Sequence, residues 1–278
     1  MSLIFDTHAH YDDHAFDKDR KELLSGLLEK NVGMVVNASA AARNIPEILK
    51  LTREYDFLYG ASGLHPCEVY GCGDNMGKPV MYGTDEIITP EWIAGDKEME
   101  LVTAALDDPK IVAVGEIGLD YHYEDTRKDI QKEWFARQIA LARKADLPVI
   151  VHSRDAAADT LDMIKSEKAS DVGGIIHCFS YGKELAREYL DMGFMLGTGG
   201  VVTYKNSKKL KEVVTYMPVE QMVLETDCPY LCPEPFRGKR NDSSMLKYVV
   251  QVISQLKGIS EEEVVRVTEE NAKRVYRI

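Results

Sequence analysis

The 278-residue sequence predicts an α/β fold, a (β/α)8 barrel of the TIM type, formed by a single domain over residues 1–278. Three observations favour this fold class. Eight short apolar runs rich in β-branched residues recur along the chain, longer amphipathic stretches separate them, and no linker or change in composition divides the sequence. Eight strands that alternate with helices over about 250 residues are typical of such barrels.

The strand-forming runs follow one another at fairly regular intervals. Several of them are continuously hydrophobic, which is the pattern of parallel strands that are buried on both faces. The expected strands cover residues 3–9, 32–39, 57–63, 111–118, 148–153, 173–179, 193–199 and 221–227.

The stretches between these runs carry apolar residues at helical spacing, which predicts helices that pack one face against the core. The clearest stripes consist of Leu23, Leu24, Leu27 and Leu28, of Ile130, Trp134 and Leu141, and of Met245, Val249, Val252, Ile253 and Leu256. Residues 68–96 have no clear period and are rich in Gly and Asp. We therefore expect an insertion at about 68–96, after the third strand.

Charge and composition narrow the function classes. The formal net charge of −12 argues against a protein that coats nucleic acid, but not against a nuclease whose metal ions supply positive charge at the phosphate. No apolar run approaches the roughly 20 residues of a membrane-spanning helix, and the N-terminus lacks a secretory signal pattern. Five scattered cysteines favour reduced thiols. We expect a cytoplasmic protein with no membrane association and no obligate protein partner.

Polar side chains follow five of the predicted strands at their carboxyl ends, where the active sites of such barrels lie. His8 and His10 are alternate residues, so both point to the same side of the first strand. His152 and His177 are 25 residues apart, which is one β/α unit, and Asp227 follows after two more units. Taken singly, each of these residues is more often a packed core residue or a cap. The candidate metal ligands are His8, His10, Glu116, His152, His177 and Asp227.

Six ligands exceed the four of a structural zinc site and suit two divalent ions. Mixed nitrogen and oxygen ligands accept Mn, Zn, Ni or Fe, whereas Mg²⁺ prefers oxygen. We expect two divalent ions, Mg or Mn in function, with Zn, Ni or Fe as alternatives in the purified protein. We assign the first ion to His8, His10 and Asp227. We assign the second ion to His152 and His177.

Glu116 is expected to bridge the two ions, because a carboxylate has two oxygens and its charge screens the repulsion between cations. A water shared by two ions loses a proton near neutral pH and becomes a nucleophile. Asp227 is expected to accept a proton during the attack. Glu116 and Asp227 are therefore the predicted catalytic residues.

Eight ordered motifs span residues 6–276. They are DTHAH (6–10), GLHP (63–66), GEIGLDY (115–121), HSRDA (152–156), HCFS (177–180), LETDCPYL (224–231), RGKRN (237–241) and TEENAKRVY (268–276). Together they resemble the motifs of the TatD-type metal-dependent deoxyribonucleases, which are barrel members of the amidohydrolase superfamily. The resemblance implies hydrolysis of phosphodiester bonds in single strands or ends of DNA, often as a 3′-to-5′ exonuclease, with Mg²⁺ or another divalent ion. It assigns the six ligands to the same positions.

The resemblance also implies residues that bind the substrate. His65 in GLHP is similar to a residue near the phosphate, and Arg154 and Arg240 offer guanidinium donors that match two phosphate oxygens. A salt bridge or a solvated loop is the competing interpretation for both arginines. Glu225 is expected to have a structural or ligand-supporting role. The basic stretch 205–211 is interpreted as a solvated helix start in preference to a DNA groove.

Two other functions stay open at this point. One is an amidohydrolase-type enzyme that acts on a small ester, lactone or amide. Such relatives often bridge their metals with a carboxylated lysine, whereas the fourth strand here offers Glu116. The other is an inactive scaffold that only retains metal. The long 68–96 segment departs from the family pattern and is expected to form a lid or to narrow the substrate range.

Overall fold

A computed structural model describes residues 2–124 and 126–278, apart from the side chain of Asp74, so Met1 and Asp125 of the predicted domain lie outside the described residues. Eight strands form one sheet in the order of the sequence. The strands are β1 (Ile4–Ala9), β2 (Val32–Ala38), β3 (Leu58–Ser62), β4 (Ile111–Asp120), β5 (Val149–Arg154), β6 (Gly174–Ile176), β7 (Met195–Thr198) and β8 (Met222–Leu224). The pairs β1–β2, β3–β4, β4–β5, β6–β7 and β7–β8 are parallel. The predicted (β/α)8 class is confirmed.

Nine α-helices occur in the described residues. They are α1 (Arg20–Ser25), α2 (Ile45–Glu54), α3 (Asp96–Ala105), α4 (Lys128–Ala145), α5 (Ala157–Ser166), α6 (Lys183–Asp191), α7 (Lys208–Tyr216), α8 (Leu246–Lys257) and α9 (Glu261–Tyr276). Among the residues described, none of these helices combines the length and the apolar character that crossing a membrane requires.

The strand predictions differ from the structure mainly at the carboxyl ends. Strand β4 continues to Asp120, two residues beyond the predicted end. Strands β6 and β8 contain only three residues each. Soon after these two strands the backbone enters the left-handed region, with φ of 46° at Cys178 and 56° at Asp227. His177 therefore lies on a turn after β6, and Asp227 lies in the irregular segment after β8.

One helical stripe needs a correction. Leu23, Leu24 and Leu27 are buried, but the side chain of Leu28 is 63% exposed. Helix α1 ends at Ser25, and Leu28 begins a separate 3-10 turn, so the helical period no longer directs it to the core. In α8, by contrast, Val249 and Ile253 are buried as predicted.

The chain divides into two compact units, of which the first comprises residues 1–37, 57–59 and 175–278. Helix α9 packs against the rest of this unit and makes buried hydrogen bonds with it. The Tyr276 hydroxyl donates to the carbonyl of Thr7 at 2.8 Å, and the Asn271 amide donates to the carbonyls of Val219 and Met222 at 2.7 and 2.8 Å. These bonds hold the C-terminal helix to β1 and to the start of β8.

The second unit comprises residues 38–56 and 60–174. Its core includes Trp134 of α4 and Val102 of α3, packed with Val69, Tyr70 and other residues of the 68–96 segment. This segment lies between β3 and α3, where the insertion is expected, and it contributes to the core.

Asn75 organises the start of the 68–96 segment. Its buried side chain accepts a hydrogen bond from the amide of Cys72 at 2.9 Å and donates to the carbonyls of Cys67 and Tyr70 at 2.7 and 2.8 Å. No disulfide joins the five cysteines, all of which are described residues.

Candidate metal centre

A first cluster of metal-ligand atoms forms in the first unit, where β1 ends. The Nε2 atoms of His8 and His10 lie 3.0 Å apart. Asp227 Oδ1 lies 3.3 Å from His10 Nε2 and 3.7 Å from His8 Nε2. The three atoms therefore converge, as the alternation along β1 predicts for the two histidines. We call this group the first cluster.

Backbone hydrogen bonds bring the two segments of the first cluster together. The amide of Asp227 donates to the carbonyl of His8 at 2.9 Å, and the amide of His10 donates to the carbonyl of Cys228 at 2.9 Å. This short parallel pairing places Asp227 opposite the histidines, although it lies more than 200 residues away in the sequence.

A buried carboxylate that the sequence analysis did not single out supports this pairing. Asp6 accepts hydrogen bonds from the Thr226 hydroxyl and the Ser243 hydroxyl, both at 2.6 Å, and from the Thr226 amide at 2.9 Å. Burial raises the pKa of Asp6 to about 7, although the hydrogen bonds from Ser243 and Thr226 act in the opposite direction. The sequence could have indicated Asp6, because Asp6, His8 and His10 are alternate residues and alternate residues face the same side of a strand.

His177 lies against the first cluster. Its ring stacks on that of His8 with the centroids 3.7 Å apart, and its Nε2 lies 3.8 Å from Asp227 Oδ1. The predicted sharing of an ion between His177 and His152 stays a prediction.

Glu225 orients His177. Its buried carboxylate lies 3.1 Å from His177 Nδ1 and accepts a hydrogen bond from the amide of Cys178 at 2.5 Å. Gly197 makes room for this carboxylate, since a Cβ there would lie 2.2 Å from Glu225 Oε2. A carboxylate on one ring nitrogen fixes the tautomer and leaves the other nitrogen for an ion. This is the supporting role that we expected for Glu225.

A second cluster lies in the second unit, where residues within β4 and β5 meet the segment that follows β3. His152 Nδ1 is 2.8 Å from Glu116 Oε1, and His65 Nε2 is 3.8 Å from the same oxygen. One ligand atom from each of these three residues falls within 4.8 Å of the others. We call this group the second cluster.

Glycines allow the second cluster to form. A Cβ on Gly63 would lie 2.8–2.9 Å from the backbone N, Cα and C atoms of Gly115. A Cβ on Gly115 would lie 2.6 Å from the Cβ of Ile150. The two backbone segments that carry His65 and Glu116 approach this closely only because neither glycine has a side chain.

Asp120 is a further member of the second cluster that the sequence analysis did not single out. Its Oδ2 lies 3.2 Å from His152 Nε2, so both nitrogens of that ring face carboxylates. The pKa of His152 rises to about 9 because its hydrogen bonds to Asp120 and Glu116 outweigh the effect of burial, which lowers it. Burial raises the pKa of Asp120, but the hydrogen bond with His152 brings it down to about 2. The sequence indicates this position, because Glu116, Gly118 and Asp120 are alternate residues of β4 and alternate residues face the same side of a strand.

His65 is held as a hydrogen-bond donor. Its Nδ1 accepts the backbone amide of Cys67 at 3.1 Å, so the neutral ring carries its proton on Nε2. A protonated Nε2 is a hydrogen-bond donor and can donate to an anion. This geometry supports the substrate contact that the resemblance implies for His65.

The two predicted phosphate-binding arginines differ in their surroundings. Arg240 donates to both carboxylate oxygens of Asp19 at 2.7 and 2.6 Å, and its guanidinium lies 4.9 Å from the centre of the Phe16 ring. Arg154 is exposed at the last position of β5. The structure therefore presents Arg240 in an ion pair, and a phosphate contact for either arginine stays a prediction.

The first cluster fits a divalent ion. Two imidazole nitrogens and one carboxylate oxygen are a donor set that Zn, Mn, Ni and Fe accept. Burial opposes ionisation of Asp227, but the hydrogen bond with His10 and the neighbouring imidazoles hold its pKa below the ordinary value. The carboxylate is therefore charged at neutral pH, as a metal ligand must be.

A (β/α)8 fold with histidine and carboxylate clusters after its strands defines a metal-dependent hydrolase. The family model described as TatD related DNase matches residues 5–277, and the chain belongs to this TatD family. The chain is 42% identical to the metal-dependent hydrolase YabD of Bacillus subtilis, over 99% of this chain and 100% of YabD. It is 33% identical to the metal-dependent hydrolase YcfH of Escherichia coli K12, over 99% of this chain and 96% of YcfH.

A solved structure agrees with this assignment. The crystal structure of the TatD homologue YjjV from E. coli K12 superposes with a TM-score of 0.85 at 28% identity, and the match covers 99% of this chain and 98% of YjjV. The expected metal-dependent hydrolase of the TatD family is confirmed.

Proposed function

We propose that this protein is a deoxyribonuclease that hydrolyses phosphodiester bonds in single strands or ends of DNA. One observation carries the proposal: the match to the TatD related DNase family runs over residues 5–277 and includes all six candidate ligands. Two divalent ions, when bound, would polarise the phosphodiester and activate a water as the nucleophile.

The residues have separate roles in this proposal. His8, His10 and Asp227 would hold one ion, His152 and His177 would hold the other, and Glu116 would be shared between them. A neighbouring carboxylate orients each of two ligand rings. Glu225 contacts His177, and Asp120 contacts His152.

The substrate contacts follow from the protonation of the ring nitrogens. His65 donates a hydrogen bond from Nε2 to a phosphate oxygen, since its Nδ1 is already engaged by the amide of Cys67. Asp227 is ionised and can accept the proton that leaves the attacking water. Arg154, exposed at the end of β5, supplies positive charge to the phosphate.

The test is hydrolysis of single-stranded DNA by the purified protein with Mg²⁺ or Mn²⁺. Strands blocked at the 3′ end and strands blocked at the 5′ end separate exonuclease polarity from endonuclease action. We expect nucleotide release by the native protein and none by the Asp227→Asn variant. If neither metal gives release above that variant's baseline, while a panel of esters, lactones and amides is turned over, the small-molecule hydrolase takes the place of this proposal.

A further inference from the structure

Positive charge is concentrated in two segments that follow β7 and β8. The segments TYKNSKKLK (203–211) and FRGKRN (236–241) contain seven of the 34 Lys and Arg residues and none of the 46 Asp and Glu residues. The whole chain carries a net charge of −12. These two segments are therefore a local exception to an acidic protein.

The first segment contacts Arg237 of the second segment and the residues that immediately precede it. The Tyr204 hydroxyl donates to the carbonyl of Cys232 at 3.0 Å, and the amide of Glu234 donates to the Thr203 hydroxyl at 2.8 Å. The Arg237 guanidinium lies over the Tyr204 ring, 4.4 Å from its centre. Arg237 of the second segment therefore lies against the first segment, although the two are more than 20 residues apart in the sequence.

Aromatic rings hold part of this charge in place. Lys239 Nζ lies 5.5 Å from the centre of the Phe236 ring, and that ring lies 5.4 Å from the ring of Tyr248. A cation over an aromatic face loses part of its conformational freedom before any ligand binds. Arg240 does not belong to this free charge, because Asp19 pairs with it. We use the name basic track for the exposed cations Lys205, Lys208, Lys209, Arg237 and Lys239.

The segment with Arg237 and Lys239 returns to the first cluster. The Asn241 amide group donates to the carbonyls of Thr226 and Tyr230 at 3.0 and 2.8 Å, on either side of the ligand Asp227. The amide of Tyr230 donates to the carbonyl of Asp227 at 2.9 Å. The segment that carries Arg237 and Lys239 is therefore fastened to the backbone on both sides of the candidate ligand Asp227.

Tyr230 presents an aromatic ring at this junction. The residue is 55% exposed, and its hydroxyl donates to Asp13 at 3.2 Å, which fixes the orientation of the ring. An exposed ring three residues after a candidate metal ligand offers a face on which a base can stack.

We propose that Tyr230 and the basic track bind the single-stranded DNA that flanks the scissile phosphate, with Tyr230 stacking on a base and the track pairing with successive phosphates. The inference rests on the proposed function and names its substrate contacts beyond the metal ligands. A positive groove combined with a stacking ring is the combination that proteins use for single strands. A paired base inside a duplex has no face free for Tyr230, so duplex DNA is expected to bind more weakly.

The test is fluorescence anisotropy with a labelled single strand of about 20 nucleotides, long enough to cover one such groove, carrying hydrolysis-resistant phosphorothioate linkages. The double variant R237Q/K239Q is compared with K30Q/K144Q, which removes the same charge from exposed positions outside the track. We expect R237Q/K239Q to weaken binding about tenfold and to reduce the slope of log K against log salt by about 1.4, or roughly 0.7 for each lost phosphate contact. The control is expected to bind like the native protein.

A second pair of variants tests the stacking. Tyr230→Leu removes the ring and keeps apolar bulk, and we expect about tenfold weaker binding, while Tyr230→Phe keeps the ring and is expected to restore it. Circular dichroism and thermal midpoints establish that each variant is folded.

The outcomes separate this inference from the proposed function. Equal binding by R237Q/K239Q and K30Q/K144Q overturns the track, and in that case hydrolysis of DNA by the native protein still supports the nuclease. Equal binding by Tyr230→Leu and Tyr230→Phe, or tighter binding of a duplex of the same sequence, overturns the stacking. Native protein that neither binds nor cleaves DNA overturns both, whereas binding without cleavage upholds the track alone.

Discussion

The two ligand clusters differ in what their atoms do before an ion binds. In the first cluster, two imidazole nitrogens and a carboxylate oxygen converge within 3.0–3.7 Å of one another. In the second cluster, both nitrogens of His152 already face carboxylates, at 2.8 Å from Glu116 and 3.2 Å from Asp120. An ion that enters the first cluster replaces the longer His10–Asp227 contact of 3.3 Å, whereas an ion that enters the second must replace the shorter charge-assisted hydrogen bond of 2.8 Å between Glu116 and His152.

The supports of the clusters differ as well. The first cluster is held by a network of side chains and backbone amides around Asp6, which ties β1 to the segment after β8. The second depends on the close approach of Gly63 and Gly115, where no side chain fits. Polar contacts therefore stabilise the first cluster, whereas the second cluster requires two glycines because a side chain at either position would clash. The following predictions test this difference.

The largest effect is expected from removal of a ligand in the first cluster. His10→Ala takes away one of three converging donor atoms, and we expect hydrolase activity to fall by more than about 100-fold, beyond the loss typical for a residue that only supports a ligand. Activity on a chromogenic phosphodiester and elemental analysis of bound metal measure the effect. His14→Ala is the matched control, because the His14 side chain is 99% exposed and bonds only to Asp17 among the contacts described. Equal activity of the two variants would contradict the metal assignment.

A smaller loss is expected when the support of His177 is removed. Glu225→Gln keeps the size of the side chain but removes the charge that fixes His177 Nδ1, and we expect a loss of roughly 10–100-fold in metal affinity. Gly197→Ala is expected to lower the metal affinity as well, since its Cβ would lie 2.2 Å from Glu225 Oε2 and displace the carboxylate. Metal titration of both variants provides the measurement. If neither variant differs from the native protein, Glu225 has no positioning role.

The two clusters are expected to bind their ions with different affinities. Replacing the Glu116–His152 hydrogen bond costs about 1.5–3 kcal/mol, so the second ion should bind at least about tenfold more weakly than the first. Calorimetric titration with Mn²⁺ measures two steps in the native protein. His10→Ala should remove the tighter step and His152→Ala the weaker one. Loss of the tighter step in His152→Ala would reverse the comparison.

The smallest effect concerns the backbone of the second cluster. Gly63→Ala forces a methyl group against the main chain of Gly115, and we expect a loss of about 1–3 kcal/mol in the free energy of unfolding. Denaturant unfolding measures it. Gly26→Ala is the matched control, since its Cβ would lie 3.4 Å or more from its neighbours at an ordinary negative φ. If both variants unfold alike, the close approach of the two glycines is not needed.

The contribution of the sequence is clearest in the strands and at their ends. Short apolar runs rich in β-branched residues predicted all eight strands, because strands buried on both faces of a parallel sheet favour such residues. Alternation along β1 correctly placed His8 and His10 on one side. The same alternation would have drawn attention to Asp6 and Asp120, but an isolated acidic residue in an apolar strand carries no sign of its partners.

What the sequence by itself determined is the fold class, the family and the identity of the candidate ligands, since each depends on local pattern and on ordered motifs. Only the tertiary structure decided how those residues are supported. The Glu225 carboxylate holds His177 at 3.1 Å, in space that Gly197 of β7 leaves open. The basic segment 203–211 meets residues 236–241 where Arg237 lies over Tyr204. These contacts join residues far apart in the chain, and the local sequence at one end of such a contact does not specify the residue at the other.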